Sequence, residues 1–262
     1  MFQKVLGQMR KAIEDYHMIE EGDKIAIGVS GGKDSLTMLD CFYYLQKFYP
    51  KKFTFMAITI HPGLDVFDTS EVEKFCKERG IEYVVYKSNI TKVVFDIRKE
   101  KNPCSLCANM RRGMLNSTAI EHGCNKIALA HHKDDAMETL LMSILLNGKI
   151  HSFAPVTYLS RSEVKVIRPF IYVDEGVIRG IAKSKNYPII KKYCPMDGFS
   201  KREYMKDLIR DLQKDIPKVR EHIFGALKRS SIQGWDPTVE LVFKPRHFEK
   251  GADKEANETE EN

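Results

Sequence analysis

The sequence predicts an α/β fold: a doubly wound, mostly parallel five-stranded sheet with an N-terminal helix before it and C-terminal helices after it. Three observations carry this. Short apolar runs alternate with helical spacing from residue 24 to residue 167, the pattern of strand–helix–strand units around a parallel sheet. The run 53–60 is apolar almost throughout, as in a strand covered on both faces. A glycine-rich turn at 28–35 joins the first strand to a helix, and in such sheets ligands sit at the carboxyl ends of the strands.

The elements follow in order. Val5, Met9, Ala12 and Ile13 recur at helical spacing and give a helix over 3–19. A strand is expected at 24–30, then a helix from Asp34 to about Phe48 with Leu36, Leu39, Phe42 and Leu45 inward. The strand at 53–60 leads to a helix over 69–79 that stops at Gly80, because glycine takes the left-handed conformation that closes a helix. Strands at 81–87, 126–131 and 164–167 complete the five, with one helix from Cys107 to about Gly123 and another over 135–147. Beyond Asp174 the chain reads as helical over 174–186, 200–213 and 215–231. It divides into an N-terminal helix (1–22), a catalytic sheet domain (23–170), a helical extension (171–249) and an acidic tail (250–262).

At 262 residues, 43% hydrophobic and 30% charged, the chain can bury a substantial core. The net charge of +6 is uneven: the last thirteen residues hold two lysines against five carboxylates, leaving +9 on the rest. That tail lacks apolar bulk and is expected not to fold, while the basic body suits a polyanionic partner. The first residues show no secretory pattern, and the apolar stretch around 140–146 is too short to cross a bilayer. A cytoplasmic location without membrane contact is therefore expected.

The turn carries the first chemistry. Gly31 and Gly32 allow backbone angles closed to other residues, and Ser30, Asp34 and Ser35 bring hydroxyls and a carboxylate to the same place. With the positive end of a helix behind it, such a turn seats an anion, and the phosphate chain of a nucleotide is the expected one. The spacing is neither that of the kinase and GTPase loop nor Gly-x-Gly-x-x-Gly. It resembles the Ser-Gly-Gly-x-Asp-Ser motif of the PP-loop ATP pyrophosphatases. That resemblance implies ATP cleavage between the α and β phosphates, with AMP placed on a substrate.

Six cysteines occur. Cys104-Ser105-Leu106-Cys107 is a Cys-x-x-Cys, and Cys194 lies in a polar, loop-like stretch. Cys41 and Cys76 fall in expected helices and Cys124 enters a strand, the positions of core thiols. Three candidate ligands remain. They suit a four-iron cluster with one iron free of protein, or a zinc site completed by His or Asp; the pair alone also suits a redox dithiol. Arg111, four residues past Cys107, is placed to meet a phosphate. Asp34 is placed to hold Mg²⁺ through the phosphates. By analogy of fold, Ile60 is an adenine wall. His131 and His132 read either as polar strand-end residues or as site residues, and Asp134 and Asp135 either as helix caps or as catalytic groups.

Together the turn, Cys104, Cys107, Cys194 and the run Ala130-His131-His132-Lys133-Asp134-Asp135 resemble the tRNA 2-thiocytidine synthetase group of the PP-loop superfamily. The likeness spans about residues 20–215 and includes Arg111-Arg112-Gly113-Met114-Leu115 and Ile167-Arg168-Pro169. It implies a [4Fe–4S] cluster on Cys104, Cys107 and Cys194, and ATP with Mg²⁺ at Ser30, Gly31, Gly32, Lys33, Asp34, Ser35, Ile60 and His131. It also implies a catalytic part for Asp135, beside Lys33, Asp34 and Arg111. Many cytidine-thiolating relatives carry a second Cys-x-x-Cys at the late site, where this chain has Cys194 alone. A sister group thiolates a T-loop uridine and bears zinc fingers, for which six cysteines are too few.

The implied reaction is thiolation of a tRNA pyrimidine at C2, with cytidine 32 of the anticodon loop as the expected target. The oxygen is first adenylated and then replaced by sulfur from a donor such as a cysteine desulfurase or free sulfide. Lys192, Lys201, Arg202 and Lys206 are the expected tRNA contacts, with Lys183, Lys185, Lys191 and Arg210 extending the set. A homodimer is compatible with the sequence. Two other readings stand beside this one: tRNA uridine 2-thiolation, and a non-catalytic nucleotide-binding protein with structural zinc.

Overall fold

A computed structural model describes residues 1–99, 103–190 and 201–239. The sheet is built around Lys24–Gly28 (β1), whose Ile25, Ala26 and Ile27 are wholly buried. Burial of each isoleucine there is worth about 1.5–3 kcal/mol. Around β1 lie Thr54–His61 (β2), Tyr83–Lys87 (β3), Lys126–Ala128 (β4), Val156–Leu159 (β5) and Val164–Ile167 (β6). The order is β3-β2-β1-β4-β6-β5, parallel except for β5, with Ile27 level with Ala57 on one side and Ala128 on the other. The five expected strands are present. The sixth, β5, is an added antiparallel edge.

The helices are Phe2–Asp15 (α1), Lys33–Leu45 (α2), Ser70–Lys77 (α3), Pro103–Glu121 (α4), Lys133–Asn147 (α5), Glu175–Ser184 (α6), Lys201–Asp215 (α7) and Val219–Lys228 (α8), with a π-helix at Lys92–Ile97. The fourth differs from expectation: it opens at Pro103, so the Cys-x-x-Cys lies within its first turns. Proline suits that position because its fixed φ and missing N–H cost nothing there. No helix among the described residues is long and apolar enough to cross a membrane.

The two faces of the sheet are covered unequally. Ile25 and Ile27 share one large core with residues of α1, α2, α5, α6 and α8, closed by Trp235. On the other face Ala26, Ile58, Ile127 and Val166 pack against Leu115 and Ala119 of α4. Gly28 lets α4 come close: a Cβ there would stand 3.0 Å from Leu115 and 3.2 Å from Leu129. The chain runs outward from β1 through β2 to β3, and from β4 towards the opposite edge. The gap between β1 and β4 is thus a switch point, where open α/β sheets form a crevice.

Candidate functional site

The turn after β1 is shaped for close approach. Gly31 has φ +73°, and a Cβ there would lie 2.5 Å from Ile190. Gly32 caps α2 without any side-chain bond to its first turn, which leaves backbone N–H groups facing the crevice. Ser35 Oγ donates to Gly32 O at 3.0 Å and accepts from Ser30 N at 3.2 Å, so the turn is fixed from within. Asp34 Oδ2 takes a bond from Lys33 Nζ at 3.0 Å. Asp34 Oδ1 is buried and has no hydrogen-bond partner among the described residues. An orphaned carboxylate oxygen beside a phosphate seat fits a Mg²⁺ ligand, since that ion takes one or two carboxylates and completes its shell with phosphate and water.

A charged layer lies behind the turn. Lys33 Nζ also reaches Glu175 at 2.9 Å, and Lys206 meets the same carboxylate at 2.9 Å. Burial works against the Lys33 ammonium, but Asp34 and Glu175 together hold its pKa above the ordinary value. Asp134 accepts from the backbone N of Glu175 at 2.8 Å and pairs with Arg220. At the start of α5, His132 and Asp135 form a capping box. His132 N donates to Asp135 Oδ2 at 2.9 Å, and Asp135 N donates to His132 Nδ1 at 3.4 Å. His132 Nε2 faces Asp34 Oδ1 at 3.8 Å. Arg202 bridges Asp135 at 3.3 Å and the buried Glu138 at 3.1 Å.

The crevice opens under α4 into a cavity of about 990 Å³. Ser30, Ile60, Arg111 and His131 line it. On α4, residues four apart share a face, so Cys104 stands in line with Ala108, and Cys107 with Arg111 and Leu115; all three of those partners line the cavity. Cys104 and Cys107 are free thiols, one exposed and one half-buried, near the end of the helix that favours negative charge. The core thiols differ. Burial pushes Cys76 up to about 12 and raises Cys41 and Cys124 as well, so none of them offers a ready thiolate.

Ser30, Ile60, Arg111 and His131 line one cavity; the rest of the turn continues from Ser30 into α2, and the cysteine pair opens the helix that carries Arg111. Cys194, Lys191 and Lys192 lie outside the described residues. Lys201 is exposed. Arg202 and Lys206, expected to face tRNA, are partly exposed and also make ion pairs within the chain; Lys185 does the same with Asp40 at 2.6 Å and Arg210 with Asp207 at 2.9 Å. Asp135 serves as a cap and an ion-pair partner in this arrangement. Arg112, Phe153 and Arg168 line the cavity without having been singled out as site residues. Arg168 at the exit of a strand was the available signal.

Known proteins similar to the chain point the same way. The family described as a PP-loop domain matches residues 2–210. A tRNA-cytidine(32) 2-sulfurtransferase of Geobacter metallireducens is 36% identical over 233 residues, covering 86% of this chain and 89% of the relative. One from Yersinia enterocolitica is 38% identical over 220 residues, covering 83% and 70%. Among solved structures, the U34-tRNA thiolase NcsA from Methanococcus maripaludis with its [4Fe-4S] cluster superposes with a TM-score of 0.71 at 27% identity, covering 87% of this chain and 78% of that one.

Proposed function

Since the chain belongs to the PP-loop family of tRNA-cytidine(32) 2-sulfurtransferases, we propose that it thiolates a tRNA cytidine at C2 in an ATP-dependent reaction. The observation that carries this reading is the meeting of three chemistries on one crevice: a phosphate turn, an orphaned carboxylate oxygen on Asp34, and a cysteine pair in line with Arg111.

The chain's own residues account for the first half of the reaction. The N–H groups of the 30–35 turn and the Lys33 ammonium hold the β and γ phosphates. Asp34 would hold a Mg²⁺ ion, which would offset phosphate charge, and Arg111 offsets charge on the reacting α-phosphoryl group. The C2 oxygen of the pyrimidine attacks the α-phosphorus, the bond to the β-phosphate oxygen breaks, and pyrophosphate leaves. Sulfide then bonds to C2, the C2–O bond breaks with loss of AMP, and a proton is released. When bound on Cys104, Cys107 and Cys194, a [4Fe–4S] cluster supplies an iron position open to an external sulfur ligand. Neutral His131 lines the crevice just before α5 and is available to a proton at the reacting base, while Asp135 holds that corner through His132 and Arg202.

Chain geometry supports Cys194 as the third ligand. Ile190 is bonded to Gly31, and four residues of chain reach at most about 14 Å. Residues 23–170 form the catalytic unit in this reading, and Cys194 belongs to the helical extension that follows it. The sulfur comes from outside, from a cysteine desulfurase or free sulfide, and tRNA is the macromolecular partner. Nucleoside mass spectrometry of tRNA from cells lacking the gene tests the whole reading. Loss of 2-thiocytidine is expected; loss of a 2-thiouridine instead moves the chain to uridine thiolation, and an unchanged profile contradicts both.

A further inference from the structure

We propose that the half of the cavity between β4 and β6 seats the RNA nucleotide being modified, with His131 and Phe153 against its base and Arg112 and Arg168 on its phosphate. This rests on the thiolation reading and names the place of its second substrate.

The division follows from strand order. Ile60 lies on the β2 side of the cavity, Ser30 follows β1, His131 follows β4 and Arg168 follows β6. Neighbouring strands are about 4.8 Å apart, so Arg168 leaves the sheet roughly 10 Å from the end of β1, on the side away from Ile60. A nucleotide with adenine at Ile60 and phosphates on the turn occupies the β2–β1 half. The β4–β6 half stays open, and the base must lie there to present its C2 oxygen to the α-phosphate.

That half is built to receive something. Arg168 is 9% exposed, and its Nη1 donates to Ala154 O at 2.6 Å and Thr157 Oγ1 at 3.0 Å. Its Nε is buried with no partner among the described residues, and so is Nδ1 of His131. The guanidinium stands 5.0 Å from the Phe153 ring, and that ring packs on His131 with centroids 5.0 Å apart at 38°. Burial, then the charge of Arg112, lower the Arg168 pKa to about 10. Arg111, Arg112 and Arg168 line the cavity, and no carboxylate does among the described lining residues. A buried cation without a counter-charge is costly, and an arriving phosphate removes that cost. The adjoining aromatic ring gives an extruded base a face to stack on, as single-stranded RNA sites do.

The test is equilibrium binding of an anticodon-loop RNA to the full chain, beside binding of a non-hydrolysable ATP analogue. Arg112→Gln and Arg168→Lys are each expected to weaken RNA about tenfold while changing the ATP analogue by less than about twofold. Arg112→Gln also lowers the slope of log affinity against log salt by about 0.7, whereas Arg168→Lys, which keeps the charge, leaves it unchanged. Phe153→Leu is expected to weaken RNA about tenfold without changing that slope. Loss of analogue affinity with RNA affinity retained assigns the arginines to the triphosphate and overturns the proposal; so do variants that change neither. Arg112 is exposed, so Arg112→Gln decides even if the Arg168 variant fails to fold. Wild-type protein that binds no RNA removes the thiolation reading itself, whereas wild-type binding with silent variants sinks this assignment alone.

Discussion

Ile190 donates its backbone N–H to the carbonyl oxygen of Gly31 over 2.9 Å. The bond ties the phosphate turn to the end of the segment that follows α6. Gly31 also has positive φ and no room for a Cβ beside Ile190. Gly31→Ala is expected to cost about 1–2 kcal/mol from backbone strain alone, and more from the clash. Urea unfolding measures the loss, and pyrophosphate release should fall with it. A variant of wild-type stability and activity contradicts the tie.

Only the cysteines at the crevice should matter for iron. Protein purified without oxygen is expected to be brown, with about four iron atoms per chain. Cys104→Ala, Cys107→Ala and Cys194→Ala should each lose the iron while retaining ATP binding. Cys41→Ala and Cys124→Ala should keep it, because those thiols are buried in the core. Colourless wild-type protein holding stoichiometric zinc contradicts the cluster.

Glu175 organises the base of the turn by joining Lys33 and Lys206. Burial pushes its carboxyl towards protonation, but the two lysines outweigh it and hold the pKa well below the ordinary range. A carboxyl depressed in this way stabilises the fold above its unfolded pKa, and the contribution is lost as pH falls through the folded value. Glu175→Gln should therefore destabilise by on the order of 1.5–3 kcal/mol at neutral pH. The gap to wild type should close in acid, below about pH 4. A pH-independent difference in thermal or urea unfolding contradicts the pairing.

Glu138 has the opposite sign. Burial, then the charge of Asp135, push its carboxyl up to about 7 even with Arg202 beside it. A carboxyl raised in the folded state contributes stability that is complete below its unfolded pKa and is lost as pH rises through the folded value. Glu138→Gln should flatten the pH dependence of unfolding between 4.5 and about 7. An unchanged slope places the titration elsewhere.

Much of this arrangement was legible in the residues alone, for identifiable reasons. β1 and its turn announce themselves because an apolar strand, two glycines and a helix start are contiguous. β5 does not: it is one buried and three half-buried residues at an edge, recruited by pairing with β6. The π-helix leaves no periodic trace. Helical spacing places Arg202 and Lys206 on one face but says nothing of what lies opposite, and Asp135, Glu138 and Glu175 come from other helices. Arg168 and Phe153 meet only because the chain before β5 folds back over the end of β6.

The central claim is that adenylation and thiolation happen on the same base in this crevice. It is tested most directly by counting products in a purified reaction of cluster-loaded protein, ATP, sulfide and unmodified tRNA. One AMP and one pyrophosphate are expected for each 2-thiocytidine formed, with none of the three when ATP is left out. Formation of ADP and phosphate, or of AMP and pyrophosphate without thiolated nucleoside, contradicts it.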